Sequence, residues 1–158
     1  MESLYSKEIT VLGIGNTILS DEGFGVKVVE HLKKNYDFPE NVALIDGGTL
    51  GVELQHFIVG TKKLLIIDSI DGGVEAGKIF HLRGDEILKH FTQKISAHEI
   101  GIQDILTMLE ITDKKIPVVD LIGAQPYSLD AGTELTPEMK KLVPIFAEKA
   151  LEILKSWQ

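Results

Sequence analysis

Three side chains in this sequence are best suited to chemistry: Glu22, Asp68 and His98. Two carboxylates and an imidazole make an open O,O,N set, which suits a divalent first-row metal and leaves positions for water or a substrate ligand. Such a site exchanges its metal instead of caging it. Spacing alone leaves plainer roles open: Glu22 as an acid in a first helical turn, Asp68 as a strand-end carboxylate bonding loop amides, and His98 as a solvated helix start.

A second candidate is Asp46, which heads the run Asp46-Gly47-Gly48-Thr49. That run faintly resembles an aspartic-protease turn, but the mechanism needs two carboxylates sharing a proton, and Asp71-Gly72-Gly73 is a poor second turn. It reads first as a turn whose glycines permit positive φ, and second as a substrate contact. His31, His56, His81 and His90 lie on or beside amphipathic segments without nearby acid pairs and read as surface residues. No Gly-x-Ser-x-Gly elbow supports a serine nucleophile. The chain has no cysteine, so thiol catalysis, disulfides and thiolate metal sites are excluded.

The elements that must position these residues follow from hydrophobic pattern. Short apolar runs rich in β-branched residues alternate with segments of helical period, the signature of an α/β fold with a mainly parallel sheet. Strands are expected over 8–13, 42–46, 63–70, 78–82 and 117–123, and the short, less apolar 78–82 fits an edge strand running the other way. Helices are expected over 22–35, 52–59, 85–91, 97–109 and 137–156. In a sheet of this kind Glu22, Asp68 and His98 can converge at the carboxyl edge.

Two helix starts carry mechanisms. Ser96-Ala97-His98-Glu99 fits a capping box, which places His98 in a first turn where the helix dipole favours the neutral imidazole that a metal requires. Thr136-Pro137 is a cap followed by proline at the first helical position, and Met139, Leu142, Val143, Phe146, Ala150, Leu154 and Trp157 then recur at helical spacing as a packing stripe. Pro144 predicts a kink in that helix.

The glycine-rich stretch from Gly13 to Gly25, straight after the first strand, raises the question of a nucleotide. Gly13-Ile14-Gly15 supplies two glycines of a dinucleotide fingerprint, yet Ile18 occupies the third position and would obstruct close helix packing there. Asp46 lies well beyond the ~20 residues expected of a ribose-binding acid. No Gly-Lys-Ser/Thr follows, so a phosphate-binding P-loop is absent.

Length and composition set outer limits. At 158 residues one domain is expected over 1–158, with 44% hydrophobic and 25% charged residues as in a soluble globular protein. No apolar run approaches the ~20 residues of a membrane helix. The first residues are polar and lack a signal-peptide core, so a cytoplasmic location is expected. A net charge of −8, from 24 acidic against 16 basic residues, disfavours nucleic acid and anionic membranes as partners.

Taken together, Gly13-Ile14-Gly15-Asn16 with Asp21-Glu22-Gly23-x-Gly25, Asp46-Gly47-Gly48-Thr49, Ile66-Ile67-Asp68, Lys94-Ile95-Ser96-x-His98 and Gly123-Ala124-Gln125-Pro126-x-Ser128-Leu129 resemble the hydrogenase maturation proteases, in order and over almost the whole chain. The resemblance implies a three-layer α/β/α sandwich of phosphorylase/hydrolase-like type, with a mainly parallel five-stranded sheet. It implies an endopeptidase that removes a carboxyl-terminal extension from the large-subunit precursor of nickel-iron hydrogenase after nickel insertion. The family's metal-binding residues fall by motif on Glu22, Asp68 and His98. The nickel is carried by the precursor, although other divalent metals can occupy such a site in vitro. Asp46 is the residue to watch for a hydrolytic role, since the family is sometimes grouped with aspartic endopeptidases. A monomer is expected. Two other readings stand beside this one: a non-catalytic chaperone for the same precursor, and a nucleotide-binding oxidoreductase.

Overall fold

The computed structural model describes residues 7–48, 58–84, 86–87 and 116–158. Five strands, β1 (Ile9–Ile14), β2 (Val42–Gly48), β3 (Lys63–Ser69), β4 (Ile79–Arg83) and β5 (Val118–Ala124), form one sheet in the order β2-β1-β3-β5-β4. The first four neighbours run parallel, and β4 pairs antiparallel with β5 at the edge, as its weaker apolar pattern leads one to expect.

The central strand β3, Lys63-Leu64-Leu65-Ile66-Ile67-Asp68-Ser69, is apolar on both faces because both faces are covered. Leu65 and Ile67 pack with Val11 and Ile122 into one core, where they meet two helices, α1 (Phe24–Asn35) and α2 (Pro137–Ser156). Leu64 and Ile66 join Leu12, Leu121, Ile58 and Ile87 in a second core on the opposite face. A side chain of this kind contributes about 1.5–3 kcal/mol when fully buried, so the two-sided burial of β3 anchors the sheet.

In α1, Phe24, Val28 and Leu32 recur every fourth residue on the buried stripe, while Lys33 and Lys34 stand in the last turn, where the dipole favours cations. Phe24 meets Phe146 of α2 edge to face, with ring centroids 4.8 Å apart, a pairing worth ~0.5–1.5 kcal/mol beyond its burial. The Thr136 hydroxyl caps α2 by accepting from the Met139 amide at 3.3 Å. The helix runs unbroken through Pro144.

Two boundaries differ from the sequence reading for physical reasons. Helix α1 starts at Phe24, and Glu22 belongs to a preceding 3-10 turn, Ser20–Gly23. Ser20 sits at φ 50°, outside helical geometry, and is tied there by its amide to the Gly132 carbonyl and its hydroxyl to the Asp130 carbonyl. Strand β2 continues past Asp46 to Gly48, because a register shift opposite Gly13 and Ile14 lets Gly47 bulge while pairing resumes. Of the helices expected over 52–59, 85–91 and 97–109, only residues 58, 59, 86 and 87 fall among those described.

Candidate active site

Glu22 and Asp68 come to the carboxyl edge of the sheet by different routes. Strand β1 is flanked by β2 on one side and β3 on the other, and the chain leaves β1 toward β2 but leaves β3 toward β4. The carboxyl ends of β1 and β3 therefore bound a topological switch point, the crevice where open α/β sheets bind ligands. Glu22 lies in the 3-10 turn that follows β1, and Asp68 is the penultimate residue of β3. The turn packs against β3, and each carboxylate residue is only 1% exposed. Asp68 accepts from the Ser69 amide at 2.8 Å. By strand alternation it faces the side of Leu64 and Ile66, away from α1.

Glycine is required to bring these elements so close. A side chain on Gly25 would run into the Ile67 carbonyl and the Ile14 backbone, and Gly15, at φ 139°, lies against the Glu22 carbonyl. The glycine-rich turn thus closes on its own backbone. It does not form the open cradle that a nucleotide phosphate would need.

The carboxylate beside Glu22 has a different task. Asp21 is fully buried and accepts hydrogen bonds from the amides of Tyr127 (2.9 Å), Ser128 (3.0 Å) and Thr136 (2.8 Å) and from the Thr136 hydroxyl. Its own amide donates to the Ser128 carbonyl at 3.1 Å. Segment 127–136 is thereby clasped onto the turn that carries Glu22, and backbone bonds between Ile18, Ser20 and Gly132 complete the clasp.

Gln125 does comparable work at the end of β5. Its side-chain oxygen accepts from the Gly72 and Val74 amides at 2.8 and 3.4 Å, and its amide nitrogen donates to Asp71 at 3.0 Å. The loop that follows Asp68 is held in this way against the carboxyl edge. Neither Asp21 nor Gln125 stands out as a site residue in the sequence; the available signals were only Asp21 adjoining Glu22 and Gln125 within the Gly123-x-Gln125-Pro126 segment.

Asp46 is exposed on β2, level with Gly13 of β1 and Ile67 of β3, so two strand spacings of roughly 5 Å each separate it from β3. Alternation with Leu44 puts it on the α1 side of the sheet, the face opposite Asp68. Gly48, where β2 ends after the bulge, takes up φ 48°, a conformation that glycine permits. Thr49, His56, His90 and the Ser96–Glu99 capping box with His98 lie outside the described residues, and among the described residues no three potential ligands group as a metal site. His81 is exposed on β4, as a surface reading expects, but it has an acid partner that the sequence does not show: its Nε2 lies 2.8 Å from the buried Asp120 carboxylate, which Arg83 also approaches at 3.2 Å. That cluster belongs to β4, β5 and the flank of α2, away from the carboxyl edge.

A mainly parallel sheet with two buried carboxylates near its switch point defines an α/β protein with a candidate site of acidic side chains. Comparison with known proteins narrows that class. Residues 26–153 match the family model of the hydrogenase maturation proteases. The chain is 40% identical over 152 residues to the hydrogenase expression/formation protein HupD of Rhizobium leguminosarum, covering 94% of this chain and 75% of that one. It is 37% identical over 148 residues to the hydrogenase 2 maturation protease of Escherichia coli, covering 93% and 90%. The solved structure of the hydrogenase maturating endopeptidase HybD from E. coli superposes with a TM-score of 0.90 at 36% identity, covering 94% of this chain and 93% of that one. This chain belongs to the hydrogenase maturation protease family, and it is an endopeptidase. No helix among the described residues is long and apolar enough to cross a membrane.

Proposed function

We propose that this endopeptidase processes the large-subunit precursor of a nickel-iron hydrogenase, removing its carboxyl-terminal extension once nickel has been inserted. The observation that carries the reading is the placement of Glu22 and Asp68, both buried and brought to one switch point by separate elements, in a member of a family of hydrogenase-processing proteases. Their oxygen donors fit a borderline divalent ion, and His98 would supply a nitrogen. Because Asp68 faces away from α1, a nitrogen donor that completes the set would have to come from the face of Leu64 and Ile66. The three side chains would engage nickel already held by the precursor, so cleavage waits for cofactor loading. Asp46, on the other face, is assigned to contact with the substrate chain near the scissile bond. Processing of this kind takes place in the cytoplasm, with one copy of this chain sufficient for each precursor.

The test is the intact mass of the nickel-loaded precursor before and after incubation with the purified protein, with nickel-free precursor alongside. Loss of a carboxyl-terminal peptide from the loaded sample alone is expected. Equal cleavage of both samples would overturn nickel gating, and stable binding without any change of mass would replace the protease reading with a chaperone.

A further inference from the structure

Large apolar side chains are unevenly distributed over the surface. Seven are exposed among the described residues: Ile18, Tyr36, Val74, Ile79, Tyr127, Leu129 and Ile145. Five of these belong to segments at the carboxyl edge of the sheet. Ile18, at 61% exposure, and Leu129 are carried by the two sides of the Asp21 clasp, where the Gly132 amide donates to the Ile18 carbonyl at 2.9 Å. Tyr127 lies over Gly77, whose amide bonds to the Gln125 carbonyl at 2.8 Å, and Val74 and Ile79 flank that contact. Tyr36, by contrast, follows the far end of α1, which starts at the carboxyl edge and runs back along the sheet.

Exposed apolar side chains gathered beside a site mark a protein-binding surface, whereas scattered ones need no explanation. Two further features limit what binds here. The amides of Tyr127 and Ser128 are taken by Asp21, and Ser128 and Gly132 have their carbonyls paired with the Asp21 and Ser20 amides, so this ridge does not offer a strand edge to an extended peptide. Contact must come through side chains, which suits a folded surface. The exposed acids Asp71, Glu75 and Asp130 border the ridge, in a chain of net charge −8. A complementary surface is apolar at its centre and basic at its rim.

We propose that this ridge, centred on Ile18, Tyr127 and Leu129, docks the folded body of the hydrogenase large-subunit precursor, with basic side chains of the precursor facing Asp71, Glu75 and Asp130. The assignment rests on the function proposed above and adds to it a binding surface separate from the Glu22 and Asp68 carboxylates. Because the clasp holds the ridge rigid before contact, little ordering cost opposes docking.

The experiment compares wild type, the double variant Ile18→Asp/Leu129→Asp and the control Tyr36→Asp, all checked for unchanged thermal unfolding. Steady-state cleavage of purified nickel-loaded precursor is measured, and its binding is followed in parallel by calorimetry. The double variant should raise KM and Kd at least ~10-fold, the cost of one good anchor, with kcat at saturation unchanged and the control at wild-type values. Added salt should raise KM for wild type by screening the acidic rim. An unchanged KM and Kd in the double variant would overturn the proposal, as would wild-type self-association that the double variant abolishes, since the ridge would then cover a second copy of this chain. If wild type binds the precursor without cleaving it, the protease reading fails while the calorimetric comparison still decides the ridge.

Discussion

The Thr136 amide donates to the Asp21 carboxylate at 2.8 Å, and the Thr136 hydroxyl both donates to that carboxylate and accepts from Met139. One short chain of bonds thus links the turn beside Glu22 to the first turn of the helix Pro137–Ser156. The linkage is electrostatically demanding, because Asp21 is fully buried and no cation approaches it among the described residues. Its charge is stabilised by oriented N–H and O–H groups, and each bond to a charged acceptor is worth ~1.5–3 kcal/mol.

Asp21→Asn should therefore destabilise the protein substantially. The amide keeps one acceptor oxygen but turns an N–H₂ group toward donors, leaving buried N–H groups unsatisfied. A loss on the order of 3 kcal/mol is expected from urea unfolding. A change below ~0.5 kcal/mol would show that the clasp does not hold the fold.

Gly25→Ala tests the close approach that brings α1 to the sheet. The added methyl would meet the Ile67 carbonyl and the Ile14 backbone, which are rigid strand atoms that cannot move aside as a side-chain tip could. Overpacking of this kind costs ~1–3 kcal/mol, and for a chain of this length each kcal/mol lowers Tm by about 2–4 °C. Calorimetry should show a fall in Tm of roughly 2–12 °C. A variant as stable as wild type would mean that α1 can shift outward freely.

Gln125→Ala removes the acceptor shared by the Gly72 and Val74 amides and the donor to Asp71. The loop after Asp68 should loosen while the core strands stay protected, since most of what is lost is local. Hydrogen exchange at the Gly72 and Val74 amides should accelerate ~10-fold or more, a factor matching about 1.4 kcal/mol. Unchanged exchange at both amides would assign their protection to something other than Gln125.

Strand β3 was legible because its continuous apolar run has one physical meaning at that length, and β4 because its weaker pattern fits an edge. The 3-10 turn at Glu22 was not, since helical period says nothing of a Ser20 held at positive φ by residues 130 and 132. The role of Asp21 is hidden for a similar reason: its partners lie more than 100 residues away, and only the fold brings them together. The pairing of His81 with Asp120 needs the antiparallel register of β4 on β5, in which Arg83 stands opposite Asp120 and His81 opposite Ile122. Asp46 shows the limit most directly, because a sequence displays the acid but not the face of the sheet on which alternation places it.

Position separates the expected behaviour of Asp46 from that of Glu22. Glu22→Gln keeps size and hydrogen bonding but removes the charge that would meet the precursor's nickel, and cleavage of loaded precursor should fall by ~100-fold or more. Asp46 is exposed and lies across the sheet from Asp68, so it is poorly placed to share a proton or a water with that carboxylate. Asp46→Asn should raise KM severalfold by weakening contact with the substrate chain and leave kcat within about twofold of wild type. General-base loss would instead lower kcat by ~10²–10⁴ with the pH–rate profile losing its acidic limb, and that result would move Asp46 into the hydrolytic step despite the face it occupies.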